Sequence, residues 1–321
     1  MRRLFFISFF CWFLPIVLTA QPKQRVYVKE LTLLTENDNY DTDLSDRYYT
    51  NGFVAQWNWL KQEVDSRRFQ KQIHRLELGH KVFTPVSVKD SVAAVVRKMD
   101  RPFAGWLYAQ YGTTLIFHNK AVLQADAVAG LLGPSAFGRQ VQQQWHRLWK
   151  LYKVYGWDYQ LNDAFTLGVQ AAYFYPLAGA GSRSASLYGV SKIALGTAFT
   201  NAAAGFLFQT GRLRTAAQSA YWNANLGTAV SNTEKREWIF FMEPLLLAQA
   251  YNATIQGGLF RSDKGPFTTG IRPFLFQTRT GLLLTGRKMG FRWFYTIRGR
   301  EGSLMKKREH WGSIGLTYRF Q

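Results

Sequence analysis

Residues 164–175 read AFTLGVQAAYFY, and their side chains alternate between two faces with a period of two. Phe165, Leu167 and Val169 fall on one face, whereas Thr166 and Gln170 fall on the other. This period is typical of a β-strand, because successive side chains of a strand point in opposite directions. The apolar face carries no charge over a length close to the roughly 9–11 residues that a tilted strand needs to cross a bilayer. The segment therefore predicts a membrane-spanning strand.

The same alternation recurs along the chain and predicts the fold class. It is found in residues 52–59, 219–230, 291–298 and 313–320. Two uncharged stretches, residues 164–182 and 193–211, are as long as a spanning helix, but both contain Gly, Thr and an amide side chain, so we predict strands there as well. We therefore expect an all-β fold, a transmembrane antiparallel β-barrel of about twelve strands, because closed bacterial barrels favour an even number.

The composition is consistent with such a barrel and excludes other classes. Of the 321 residues, 47% are hydrophobic and 16% aromatic, so the chain is not intrinsically disordered. A mean hydropathy of −0.18 argues against several spanning helices. The one cysteine, Cys11, excludes a disulfide framework and a cysteine-based zinc site. The net charge of +20 suits a substrate that carries phosphates, or simply a basic barrel rim.

The N-terminal sequence predicts export. Arg2 and Arg3 precede an uncharged run over residues 4–18, and Leu18-Thr19-Ala20 ends at a small residue. This arrangement is typical of a cleaved signal peptide, with an uncleaved anchor as the alternative. We expect a signal peptide over residues 1–20 and one barrel domain over residues 21–321 in the bacterial outer membrane. Export removes nucleic acid from the expected partners.

The C-terminal sequence predicts a partner in assembly. Residues 316–321 read LTYRFQ, a strand pattern with the aromatic Phe320 one position from the end. The pattern resembles the signal that the barrel-assembly machinery reads, in which the aromatic residue is usually last. We therefore expect this machinery as a partner during biogenesis, and a monomer in the membrane.

One segment breaks the alternation and reads as a helix. Residues 139–150 read RQVQQQWHRLWK. Apolar residues recur at the spacing of one helix face: Val141, Trp145, Leu148 and Trp149. A helix among barrel strands must lie in an extracellular loop or fill the lumen. It carries His146, a candidate base, whereas the other histidines lie in or beside strand patterns: His74, His80, His118 and His310.

Carboxylates cluster after the first strand pattern: Glu36, Asp38, Asp41, Asp43 and Asp46. Grouped oxygen ligands of this kind suit Ca²⁺, although the spacing is not that of an EF-hand, and a solvated acidic loop is the alternative. The chain contains no Gly-x-Ser-x-Gly elbow, no His-Glu-x-x-His motif and no Gly-rich phosphate loop. The usual hydrolase motifs are therefore excluded.

Short blocks along the chain form a pattern that we recognise. They are residues 36–38 (END), 46–52 (DRYYTNG), 100–106 (DRPFAGW), 138–147 (GRQVQQQWHR), 156–162 (GWDYQLN) and 252–258 (NATIQGG). In this order and combination they resemble the outer-membrane lipid A 3'-O-deacylases, over the chain from about residue 31 to the C-terminus. The resemblance implies a twelve-stranded barrel, with an active site between the outer barrel wall and a loop helix. It also implies a Ca²⁺-dependent esterase acting on lipid A in lipopolysaccharide, among the other outer-membrane lipids.

The resemblance assigns roles to residues of this chain. The implied site consists of Asn37, Asp38, Thr50 and His146 in catalysis, Asn37 and Asp38 as calcium ligands, and Lys89 and Arg101 in substrate binding. Two positions depart from the family pattern. Tyr152 replaces an acidic residue that some members carry six positions after the histidine, which puts the orientation of His146 in question. Phe103 replaces a tyrosine, which is a minor change.

The implied chemistry is ester hydrolysis by water. His146 would take a proton from water, Ca²⁺ held by Asp38 would polarise the ester carbonyl, and Thr50 would orient the base or the ester. Attack by water is preferred to a covalent intermediate, because the mature chain would contain neither a serine elbow nor a cysteine. Two alternatives remain: a non-enzymatic barrel, either a narrow pore or an inactive family member, and a phospholipase-type enzyme acting on glycerophospholipids.

Overall fold

In the computed structural model, the described residues are 25–40, 46–61, 67–227, 229–230 and 236–321. They form a closed antiparallel barrel of twelve strands, which confirms the predicted fold class. The strands are β1 Lys29–Asn37, β2 Tyr48–Leu60, β3 Phe69–Thr84, β4 Ala104–Phe117, β5 Val122–Leu132, β6 Ala164–Ala178, β7 Ala185–Gly196, β8 Phe199–Arg212, β9 Glu237–Asn252, β10 Phe274–Thr285, β11 Met289–Arg298 and β12 Glu309–Phe320. Each strand pairs with its sequence neighbours, and β12 pairs with β1 to close the barrel. The predicted signal peptide lies outside the described residues.

Among the residues that the structure describes, helices lie only in the connections between strands. The α-helices are α1 Val92–Lys98, α2 Gly138–Leu148 and α3 Ala253–Gln256, and the 3-10 helices are Asp38–Tyr40, Pro134–Ala136, Trp157–Tyr159, Ala216–Gln218 and Ala220–Trp222. Two short strands, Arg25–Val26 and Ala229–Val230, pair with each other in a separate two-stranded sheet. Within the described ranges, no helix combines the length and the apolar character needed to cross a membrane.

The two faces of the barrel wall differ as the period of two predicts. Large apolar side chains are exposed on the outer face, among them Leu33, Phe53, Leu76, Leu78, Leu131, Phe165, Leu167, Leu195, Phe240 and Leu316. The lumen holds paired charges instead, as in the ion pair of Arg75 with Asp126 and the bond from Arg319 Nε to Glu30 Oε2 at 3.1 Å. Such an inverted arrangement suits a wall with lipid outside and polar groups inside.

The prediction of a strand over residues 219–230 was wrong. Most of this segment is irregular and packs inside the barrel, where the Trp222 ring lies against Phe174 and Tyr188. Arg292 Nη2 donates to Asn223 Oδ1 over 2.6 Å, and Asn223 has a left-handed φ of 57°, which no strand tolerates. The alternate apolar side chains therefore face protein inside the lumen, and a period of two cannot distinguish this from contact with lipid.

Helix α2 lies on the outside of the barrel wall. Trp106 lines the lumen, so its neighbour Gly105 faces outward. A Cβ atom on Gly138, the first residue of α2, would lie 2.9 Å from the Cα of Gly105. Only glycine permits such an approach, so this pair seats the helix directly on β4. The helix is therefore a loop helix and does not fill the lumen.

Candidate active site

Asn37, the last residue of β1, forms a turn at the end of the strand. Asn37 Oδ1 accepts a hydrogen bond from the Asn39 backbone N–H over 2.6 Å, and Asn37 Nδ2 donates to Asn51 Oδ1 on β2 over 2.6 Å. The first bond forms a local turn of the kind that asparagine favours. It places Asp38 at the start of a 3-10 helix, where the side chain is buried.

Two carboxylates meet at Thr50. Thr50 Oγ1 lies 3.2 Å from Asp38 Oδ2 and 3.3 Å from Asp46 Oδ1, and all three side chains are buried. The backbone N–H of Arg47 also donates to Asp38 Oδ2, over 2.7 Å. Because a hydroxyl group donates one hydrogen bond at a time, Thr50 cannot satisfy both carboxylates at once. The predicted residues Asp38 and Thr50 are thus in contact, with Asn37 beside them.

Helix α2 brings His146 to these carboxylates. Gly138, Gln142 and His146 form the buried stripe of the helix. His146 Nδ1 donates to the Tyr152 carbonyl oxygen over 2.7 Å, and Nε2 lies 2.9 Å from Asp46 Oδ2. The contact between Nε2 and Asp46 becomes an ion pair when the His146 ring is protonated. The Tyr152 hydroxyl donates to the same carboxylate oxygen.

Asp46 sets the proton affinity of His146. Burial lowers the pKa of His146, but the Asp46 carboxylate and the Tyr152 carbonyl outweigh it, so the pKa lies above the usual 6.5 despite the nearby Lys89 ammonium. Burial, and then the charge of Asp46, raise the pKa of Asp38 well above 3.8, against the hydrogen bonds from Arg47 and Thr50. The site therefore holds negative charge that a proton or a cation would relieve.

The two predicted substrate-binding residues lie in different surroundings. Lys89 is exposed beside the site, with its Nζ 4.1 Å above the centre of the Tyr152 ring. Arg101 is fully buried: its Nη1 donates to Glu309 Oε1 over 2.7 Å, and its Nη2 donates to Thr254 Oγ1 over 2.7 Å. The structure brings Lys89 to the site but places Arg101 in a buried ion network, which does not fit contact with substrate.

We expect Arg101→Met to destabilise the barrel by about 3–5 kcal/mol, because it leaves Glu309 buried without its cation and leaves Glu301 with Arg298 alone. Thermal unfolding in detergent, followed by circular dichroism, measures the loss. Arg97→Met on α1 is the matched control, since that side chain is exposed. A variant at Arg101 as stable as the control would contradict the structural role.

The chemistry of the oxygen atoms fits a calcium ion. Asp38 Oδ1 and Asn39 Oδ1 are buried and have no hydrogen-bond partner within the described part of the chain. That part of the chain contains no group of three or more His, Cys, Asp or Glu side chains arranged around a metal, so amide, backbone and water oxygens would have to complete the ligands. Ca²⁺ accepts such oxygens readily. Asp41 and Asp43, also part of the acidic cluster, lie outside the described residues.

Asp46 and Asn51 were not assigned to the site from sequence. Both lie in the block DRYYTNG around Thr50, and Asp46 belongs to the acidic cluster. These neighbours were the only sign in the sequence that the two residues belong to the site. The contact between Asp46 and His146 could not be predicted from the sequence, because it joins residues 100 positions apart. A loop helix folded back onto the wall creates this pair.

Comparisons with known proteins show the family and the fold of the chain. The family described as "Outer membrane protein LpxR" matches residues 4–320. Among solved structures, LpxR from Salmonella typhimurium is similar with a TM-score of 0.72 at 15% identity, over 91% of this chain and 100% of that one. The translocator domain of the autotransporter NalP from Neisseria meningitidis has a TM-score of 0.43 at 8% identity, over 92% of this chain and 88% of that one. No curated protein sequence matches this chain.

Proposed function

The chain belongs to the LpxR family of outer membrane proteins, and from this premise we propose that it is an esterase that hydrolyses the 3'-linked acyl chains of lipid A with the help of calcium. One observation carries the proposal: on the outer wall of a membrane barrel, a buried histidine lies against one of the two buried carboxylates that flank Thr50. An ester in the outer leaflet can reach such a site from the side.

The residues of the site divide the work of hydrolysis. The Tyr152 carbonyl holds the proton on Nδ1 of His146, so that Nε2 is the nitrogen that can accept another. In the reaction, a water proton passes to Nε2 while the water oxygen attacks the ester carbonyl. The bond between the acyl carbon and the sugar oxygen then breaks, and the imidazolium returns the proton to that oxygen, which gives a fatty acid and a free sugar hydroxyl. Asp46, 2.9 Å from Nε2, stabilises the imidazolium that forms.

Substrate and metal are held by neighbouring groups. Asp38 would hold calcium, with Asn37 beside it, and the ion would act as a Lewis acid on the ester carbonyl. The hydroxyl group of Thr50 lies between the carboxylates of Asp38 and Asp46 and can donate to either of them. Lys89 is free to reach a phosphate of the lipid head group, since its ammonium is exposed above Tyr152.

The alternative of a narrow pore has less support. The irregular segment over residues 213–227 packs inside the barrel, where Lys71 Nζ donates to the Ala224 carbonyl oxygen over 2.7 Å. A glycerophospholipid substrate is an alternative that the product of the reaction would reveal.

The proposal is tested by mass spectrometry of lipid A from a host that lacks such an enzyme. Expression should remove the mass of the 3'-linked acyl chains, and chelation of calcium should prevent the loss. Unchanged lipid A in cells whose barrel is folded, as judged by its heat-modifiable migration, would overturn the proposal. Lyso-phospholipid as the product would establish the phospholipase alternative.

We expect Asp46→Asn to move the acid limb of the kcat/KM profile to lower pH. His146 is the base only when neutral, and Asp46 raises its pKa, so removing the carboxylate lowers that pKa and extends activity into more acidic solution. The plateau value of kcat/KM at higher pH should fall by about tenfold, because a His146 ring of lower pKa is a weaker base toward the attacking water. Initial rates over a pH series at saturating calcium measure both effects.

Asp158→Asn is the matched control for Asp46. Asp158 is an exposed carboxylate in the same connection as α2, paired with Arg139 over 2.7 Å. Its removal should leave the limb in place. An unmoved limb in Asp46→Asn, or one moved to higher pH, would show that Asp46 does not act on His146.

A further inference from the structure

Helix α2 has three distinct faces. Gly138, Gln142 and His146 face the barrel wall. At about 100° per residue, Val141 and Leu148 project roughly a quarter turn away from this stripe. The remaining arc is polar and carries Gln140, Gln143, Gln144 and Arg147. A loop helix that packs on a protein surface in water needs only the buried stripe and the polar arc, so the second, apolar face is left to be explained.

The second face is apolar and exposed. On this face Leu148 is 71% exposed and Val141 42%. Phe137, which precedes the helix, is 55% exposed, and Trp149, which follows it, is 60% exposed. Leu151, just beyond the helix, is 43% exposed. So many large apolar side chains on one short segment would be costly in water.

The surroundings of this face indicate what covers it. Helix α2 rests on the outside of β4, and the neighbouring strands expose Leu78 and Leu131 on the same outer wall. The apolar face therefore lies on the same side of the barrel wall as the belt of side chains that meets the membrane. Arg147 on the polar arc and Lys150 after the helix are exposed, and an outer leaflet rich in phosphorylated lipid would complement their charge.

We propose that the apolar face of α2 is seated among the acyl chains of the outer leaflet, with its polar arc facing water. The helix is then an interfacial amphipathic helix. The inference rests on the outer-membrane location and deepens the proposed function in one respect. Because His146 lies on the same rigid helix, the seating sets the depth at which His146 meets an ester at the boundary between sugar and acyl chain.

Site-directed spin labelling tests the seating without reference to activity. Cys11, the one cysteine, is first replaced by Ser. Nitroxide labels are then attached at Val141→Cys and Leu148→Cys, at Gln144→Cys as the matched control on the polar arc, and at Leu78→Cys as the reference for the barrel wall. The full chain is reconstituted into phosphatidylcholine vesicles, and accessibility to oxygen is compared with accessibility to a water-soluble nickel chelate.

We expect the ratio of oxygen to nickel accessibility at positions 141 and 148 to approach that at position 78 and to exceed that at position 144 several-fold. Equal ratios at positions 141, 144 and 148 would overturn the proposal. Because this readout needs no substrate, a failed deacylation assay would leave it intact, and a failed labelling result would leave the deacylation proposal intact.

Discussion

Replacement of His146 by Gln is expected to lower kcat/KM for release of the 3'-linked acyl chains by about 10²–10⁴-fold, the usual contribution of a positioned general base. Glutamine is close to histidine in size and can still donate a hydrogen bond to the Tyr152 carbonyl oxygen, but its side-chain amide cannot accept a proton from water. Fatty acid release from purified lipid A in mixed micelles, at saturating calcium, measures the effect.

His80→Gln is the matched control for this variant. His80 also faces outward from the wall and contacts α2's connection, since its Nε2 lies 2.6 Å from the Ala136 carbonyl oxygen, yet it does not contact the carboxylates of the site. Both variants should show the heat-modifiable migration of a folded barrel. If His146→Gln retains the rate of the His80 variant, another group acts as the base.

The barrel could be predicted because the side chains of each strand alternate between apolar residues on the outer face and polar residues on the inner face. In β6, Phe165 and Leu167 are exposed on the outer face while Thr166 is buried on the inner one. The same rule failed for residues 219–230, where Trp222 and Leu226 alternate with polar residues but face protein. Periodicity reports that two faces differ, and it does not report what lies against them.

The candidate site could be predicted only in part. The family resemblance selected Asp38, Thr50 and His146, which the structure brings together around Asp46. It also selected Arg101, whose partners Glu301 and Glu309 lie some 200 positions along the chain. Nothing local to the sequence around Arg101 indicates that these carboxylates enclose it.

Tyr152 shows why a missing family residue need not break a site. The family resemblance placed an acidic side chain here, and its replacement put the orientation of His146 in question. In the structure, the backbone carbonyl of Tyr152 holds Nδ1, and Asp46 supplies the carboxylate at Nε2. A backbone group can perform this orienting role whatever the side chain is, so the substitution leaves the His146 ring held in place.

Replacement of Asp38 by Asn is expected to reduce activity by about 10²–10³-fold at limiting calcium, comparable with the loss of one group that stabilises a developing oxyanion. Asn keeps the shape of the side chain but removes the charge from Oδ1, the buried carboxylate oxygen that has no hydrogen-bond partner among the described residues. A calcium titration of the deacylation rate measures the effect, and the calcium concentration for half-maximal activity should rise.

Competition between protons and calcium for the Asp38 carboxylate gives a second test. Burial and the Asp46 charge raise the pKa of Asp38, and a metal ligand must be deprotonated, so wild-type calcium affinity should weaken as the pH falls, and Asp38→Asn should lose this component of the pH dependence. Asp163→Asn is the control, since Asp163 Oδ1 accepts only a surface hydrogen bond, from the Ser135 backbone N–H over 2.7 Å. If Asp38→Asn follows the same calcium titration as this control, the calcium requirement arises elsewhere, and the carboxylate pair at Thr50 serves His146 alone.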